Sequence, residues 1–236
     1  MINMELGIMG IEYYQIPANI SNYTKGRKQS IEYIVVHYTA NDGDTARNNG
    51  NYFSQPNRNA SAHYFVDENE IIQSVKDTDT AWHCGAKSYK HELCRNDNSI
   101  GIEMCSEKDN NGQYYINQAT QNRTIRLIKV LMKQYNIPIE NVLRHFDVTG
   151  KICPEPFVKN QVQWLDLKKR LSEEKEGGAD MIYNYMDENM PDWAKPTIQK
   201  LIDKGALKGN EKGELMLTDV MLRIFVANDR MGLYGE

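Results

Sequence analysis

Two periodicities, close together in the chain, constrain the fold most. From Ser99 to Cys105 the apolar residues Ile100, Ile102 and Met104 alternate with Gly101, Glu103 and Cys105, the period-two pattern of a strand with two different faces. Over residues 117–135 the period changes. Ile125, Ile128, Met132 and Tyr135 recur at i, i+3, i+7 and i+10, and Asn136 with Pro138 marks the end of an amphipathic helix. Ile31–His37 is rich in β-branched residues and reads as a buried strand that ends in a histidine. Ser61–Asp67 and Glu70–Val75 read as two more strands around the turn Asp67-Glu68-Asn69. Thr45–Phe53 reads as a helix, as does Val162–Leu171, with Val162, Leu165 and Trp164 facing inward. Residues 1–30 give no clear pattern beyond a polar loop from Asn19 to Ser30. Strands interleaved with helices predict an α/β fold, a mixed central β-sheet flanked by helices.

The chain has 236 residues, enough for one domain of ordinary size and a small second one. The composition shifts at Ser172-Glu173-Glu174-Lys175-Glu176-Gly177-Gly178, a charge run ending in Gly-Gly that signals a linker. The expected division is a first domain at 1–174, a linker at 175–179 and a small α-helical C-terminal domain at 180–236. A net charge of −4 without a Lys/Arg cluster argues against nucleic acid as a partner. No stretch approaches the roughly 20 apolar residues needed to cross a bilayer. Met1 to Leu6 has no basic region, so the N-terminus does not read as a signal peptide. Four cysteines are too few for a disulfide scaffold. Cys84 and Cys94 either close a short loop in an oxidising medium or remain free thiols.

The chemistry concentrates on His37, His145 and Cys153. Two imidazoles and a thiolate suit Zn2+, and a site with three protein ligands keeps a fourth position for a water that the metal acidifies. Glu103 is the best-placed carboxylate for proton transfer, because its strand turns it away from the Ile100/Ile102/Met104 face and Gly101 leaves space beside it. Lys151 is the best cation for an oxyanion. It lies two residues before Cys153, and the residue before Pro154 favours extended geometry, which puts Lys151 and Cys153 on one face.

These residues sit in Val36-His37-Tyr38-Thr39, Ser61-Ala62-His63-Tyr64-Phe65-Val66-Asp67, Ala81-Trp82-His83-Cys84-Gly85, Asn96-Asp97-Asn98-Ser99-Ile100-Gly101-Ile102-Glu103, and Arg144-His145 leading to Lys151-x-Cys153-Pro154. In this order the blocks resemble the zinc-dependent N-acetylmuramoyl-L-alanine amidases, over roughly residues 30–158. That family includes phage endolysins, autolysins, a cytoplasmic recycling amidase and the peptidoglycan-recognition proteins. The resemblance implies one Zn2+ per chain on His37, His145 and Cys153, with Glu103 as catalytic base and Lys151 beside it. It implies bacterial peptidoglycan as substrate, cut between N-acetylmuramic acid and L-alanine. Tyr38, His63, Trp82, His83 and Asn98 fall in blocks that imply substrate contacts, although His63 equally suits a buried hydrogen bond. The phage lysozyme branch has a catalytic Tyr where Ala62 stands here, so Glu103 is expected to do that work. The recognition branch typically lacks the ligand Cys, so Cys153, Glu103 and Lys151 favour catalysis. Without a signal peptide, an endolysin is made in the host cytoplasm and reaches the wall through lysis or a holin-type pore; a recycling enzyme stays inside.

The tail resembles one surface-layer-homology-type repeat, on Asp192-Trp193-Ala194-x-Pro196-x-Ile198-x-x-Leu201-x-x-Lys204-Gly205, then Leu207-x-Gly209 and Leu217-Thr218-x-x-x-Leu222-Arg223. The resemblance implies a helix, a Gly turn, a loop and a second helix capped by Thr218, with secondary cell-wall polymers as ligand. The same spacing suits a helical appendage that oligomerises, which would make the protein a homodimer.

Overall fold

A six-stranded sheet forms from Glu12–Gln15 (β1), Tyr33–Tyr38 (β2), Tyr64–Val66 (β3), Glu70–Gln73 (β4), Ser99–Met104 (β5) and Val142–Arg144 (β6), in the spatial order β1-β4-β3-β5-β2-β6. This is a computed structural model, and it describes residues 12–173, 183–187 and 190–235. The sequence readings for Met1–Leu6 and for the 175–179 linker lie outside the described residues. Only β3 and β4 run antiparallel to each other; the other neighbours are parallel. Their turn is held by Asp67, whose Oδ1 accepts from the Asn69 and Glu70 amides at 2.7 and 2.8 Å. Its Oδ2 accepts from the Ala46 amide at 2.7 Å, at the start of the helix Ala46–Phe53 (α1).

Strands β2 and β5 are apolar because both of their faces are covered. Ile34, Val36, Ile100, Ile102 and Met104 meet Ile125, Leu127, Ile128 and Leu131 of the helix Gln118–Tyr135 (α2). Burying each such side chain contributes roughly 1.5–3 kcal/mol. Asn136 ends α2 in the left-handed conformation at φ 53°, as the Asn-x-Pro signal predicts. On the other face Tyr33 and Val35 pack with Cys84, Cys94 and Val148; both cysteines are free thiols. Two short helices, His145–Thr149 (α3) and Glu155–Lys159 (α4), lead into Gln161–Ser172 (α5).

One expectation for α5 is corrected. Val162 and Leu165 are 74% and 57% exposed, whereas Trp164, Leu167 and Leu171 are buried. Positions 164, 167 and 171 repeat at i, i+3 and i+7 and form the buried stripe, which Val162 and Leu165 fall outside.

The chain divides between Glu173 and Glu174 into two compact units. The second contains the helices Lys195–Asp203 (α6) and Asp219–Arg230 (α7), with Gly205 at φ +68° after the first and Thr218 accepting from the Met221 amide at the start of the second. Its core is Tyr183, Met190, Ala194, Ile198, Leu201, Leu217, Leu222 and Val226. Among the described residues no helix is long and apolar enough to cross a membrane.

Candidate metal centre and active site

Parallel pairing assembles the site. His37 is registered with Glu103 across β2 and β5, and Val36 with Arg144 across β2 and β6. His37, Glu103 and His145, the residue after β6, therefore emerge together at the carboxyl ends of three adjacent strands, the usual place for a site in such sheets. Arg144 fixes the start of α3. Its buried guanidinium binds both Asp147 carboxylate oxygens at 3.0 and 2.7 Å, the Phe157 carbonyl at 2.9 Å and Gln161 Oε1 at 2.7 Å. Cys153 arrives on the following loop, its carbonyl accepting from the Phe146 amide at 2.9 Å.

One ligand atom from each of His37, His145 and Cys153 lies within 4.8 Å of the others, and all three residues are buried. His37 Nδ1 faces Cys153 Sγ at 3.7 Å and Glu103 Oε1 at 3.9 Å. His145 Nδ1 is buried and finds no hydrogen-bond partner among the described residues, nor does Glu103 Oε2. Unpaired buried polar atoms are costly, and three donors converging on one point suit a cation.

Electrostatics agree with that reading. Burial, reinforced by the neighbouring imidazoles and Lys151, holds His37 well below the ordinary histidine value. Burial brings His145 down to about 4. Burial lifts the Cys153 thiol to about 12, with Glu103 adding to the rise. Burial also lifts Glu103 to about 8, against the pull of Lys151. Both imidazoles are thus neutral and able to ligate, while the thiolate needs a nearby positive charge to form.

The other sequence-predicted residues separate into two groups. An open groove of about 500 Å³ is lined by Trp82, His83, His145 and Lys151, together with Asn59, Lys87, Asn96 and others. Trp82 presents its ring there with its indole N–H donating to Thr24 Oγ1 at 2.9 Å. Lys151 is exposed, and it joins Cys153 by a tight turn, the Cys153 amide donating to the Lys151 carbonyl at 2.7 Å, instead of by the extended stretch expected. His63 and Asn98 correct the expectation of substrate contact, because both are enclosed. His63 Nδ1 accepts from the Gly101 amide at 2.9 Å, and Asn98 Oδ1 accepts from the Arg95 amide at 2.7 Å. Tyr38 packs against the core on the opposite side of β2 from His37 and meets the Tyr114 ring edge-on, so it does not line this groove. The space above Gly101 is also filled: His83 lies against it. Sequence reasoning missed Arg144, Asp147 and Ser99; the Arg144-x-x-Asp147 spacing around His145 was the available signal.

The fold is a mixed α/β domain that gathers two histidines and a loop-borne cysteine at the carboxyl ends of its parallel strands, a group able to hold a metal ion. A family model described as N-acetylmuramoyl-L-alanine amidase matches residues 27–156, and the chain belongs to that family. It is 33% identical over 215 residues to the N-acetylmuramoyl-L-alanine amidase BlyA of Bacillus subtilis (strain 168), covering 85% of this chain and 55% of that one. It is 35% identical over 163 residues to the amidase CwlL of Bacillus licheniformis, covering 64% and 44%. The chain thus spans about half the length of the curated relatives it matches. A solved structure of the catalytic domain of XlyA matches with a TM-score of 0.57 and 29% identity, over 68% of this chain and 99% of that one.

Proposed function

We propose that this chain is a zinc-dependent peptidoglycan hydrolase of the endolysin kind that cuts the amide bond between N-acetylmuramic acid and L-alanine. The observation that carries the reading is the convergence of His37 Nδ1, His145 Nδ1, which has no hydrogen-bond partner among the described residues, and Cys153 Sγ beside the half-buried Glu103. These three residues would hold one zinc per chain. When bound, zinc supplies Lewis acidity and lowers the pKa of a coordinated water to about 7. Glu103, with one carboxylate oxygen enclosed and no hydrogen bond to it among the described residues, takes a proton from the attacking water. It returns that proton to the departing L-alanine nitrogen, so one water is consumed and a carboxylic acid and an amine are formed; the acid's proton then passes to the amine, leaving a carboxylate and an ammonium. Lys151, on the groove wall, offers its ammonium to the oxyanion that forms on the scissile carbonyl. Trp82 gives the groove an apolar surface for the glycan or its peptide.

The second unit carries no part of this constellation. Its separate core supports a role in delivering the enzyme to wall polymers, or in pairing two chains, and leaves the bond cleavage to the first unit.

The test is digestion of purified peptidoglycan by the full chain. The expected result is new L-alanine amino termini, no new reducing sugars, about one zinc per chain, and loss of both signals after chelation. New reducing ends would assign a glycosidase, and undiminished cleavage by metal-free protein would remove the zinc.

A further inference from the structure

His83 was expected at the substrate, yet its ring is tied into a chain of hydrogen bonds that ends on His37. The Ser99 hydroxyl donates to the Arg95 carbonyl at 2.6 Å. A hydroxyl has one hydrogen, so toward His83 Nε2, 3.1 Å away, Ser99 Oγ can only accept. His83 Nε2 therefore carries a hydrogen, and the neutral ring has a bare Nδ1. That Nδ1 lies 3.0 Å from His37 Nε2, which must then be the donor. A neutral imidazole with hydrogen on Nε2 has its lone pair on Nδ1. In His37 that is the atom facing Cys153 Sγ and Glu103 Oε1.

Two further observations show that the ring is seated. The His83 and Cys84 amides both donate to Asn96 Oδ1, at 3.2 and 2.8 Å, which fixes the backbone beneath it. A Cβ on Gly101 would meet His83 Cγ, Cδ2 and Nδ1 at 2.5, 2.7 and 2.8 Å. Only glycine lets β5 approach the imidazole this closely.

We infer that His83 and Ser99 are positioning residues: running from the Arg95 carbonyl through Ser99 and His83, they fix His37 as the tautomer whose Nδ1 lone pair points at Cys153. This rests on the proposed zinc reading for its consequence, since a metal ligand whose far nitrogen is held is a stronger and better-aimed donor. The direction is set by a backbone carbonyl, which has no proton to give and cannot reverse the chain.

The experiment has two arms on the full chain. In the first, zinc affinity is measured by competition with a chromophoric chelator. His83→Leu removes the acceptor for His37 Nε2 and is expected to weaken zinc about 10–100-fold, the usual effect of losing such a partner. His83→Asn places an amide oxygen at the Nδ1 position and is expected to recover most of the loss. His83→Gln, which reaches the Nε2 position instead, is expected not to. A merely space-filling His83 would leave Asn no better than Gln, and that result overturns the inference. In the second arm, long-range proton–nitrogen correlation on the metal-free wild-type protein reads the tautomers directly. Hydrogen on Nε2 of both His37 and His83 is the expected result; hydrogen on His37 Nδ1 overturns the inference even if His83→Leu fails to fold. A wild-type chain that takes up no zinc refutes the zinc reading while the tautomers still report on the relay, so the two failures are distinguishable.

Discussion

Zinc binding at pH 6 is expected to release about two protons from the wild-type chain and about one from Glu103→Gln. The count follows from what burial does to each group. A histidine whose pKa is depressed is neutral above the lowered value, so His37, held well below its ordinary range, and His145, at about 4, carry no proton to lose at pH 6. An acid whose pKa is raised keeps its proton up to the raised value. Cys153, at about 12, must therefore release one proton to ligate, and Glu103, at about 8, holds one that an adjacent divalent cation drives off. The same groups at ordinary values, about 6.5 for each histidine, 8.5 for the thiol and 4.3 for the carboxyl, give a different result. Each histidine would be about three-quarters protonated and Glu103 already ionised. Roughly 2.5 protons would leave, and Glu103→Gln would change nothing. Titration calorimetry in two buffers of unlike ionisation heat measures the number. Equal counts for wild type and Glu103→Gln, or a count near 2.5 in the variant, would refute the argument that burial prepares the site.

Other consequences are simpler to state. Glu103→Ala is expected to keep its zinc and its fold while muropeptide turnover falls about 10²–10⁴-fold, the range for a general acid–base group; an unchanged rate with unchanged zinc makes Glu103 structural. Arg144→Ala removes the buried cation that holds Asp147, the Phe157 carbonyl and Gln161, and is expected to cost about 3 kcal/mol in urea unfolding, with weaker zinc binding because α3 carries His145. A loss under about 1 kcal/mol would show that the neighbours are satisfied without it. A chain ending at Glu173 is expected to retain zinc and cleave soluble muropeptides but to lose activity on intact walls, because tethering raises local substrate concentration without touching the reacting bond. Full activity of that shortened chain on sedimented walls would leave the second unit without a delivery role.

The parts legible in the sequence are those where one short-range pattern decides the structure. Alternation across Ser99–Cys105 separated Glu103 from Ile100, Ile102 and Met104, and the structure buries those three against α2. The i, i+3, i+7 spacing of Ile125, Ile128 and Met132 likewise located α2 and its core face. Helix α5 failed by the same criterion. Several apolar residues compete there, and packing against α2 and α4 selects Trp164, Leu167 and Leu171 over Val162 and Leu165. The site shows the limit more sharply. His37, His145 and Cys153 were identifiable by residue type, because few side chains can hold zinc. The partners of those side chains were not, since they depend on register. The pairing of His37 with Glu103 and the depth of the Gly101 seat are set by how β2 and β5 lie side by side. The His83 chain joins three separate segments, at 37, 83 and 95–99. His63 and His83 sit in equally suggestive motifs, yet one closes a backbone gap at Gly101 and the other reaches His37. What separates them is whether Nδ1 meets a backbone amide or another imidazole, a distinction made only when the strands are packed.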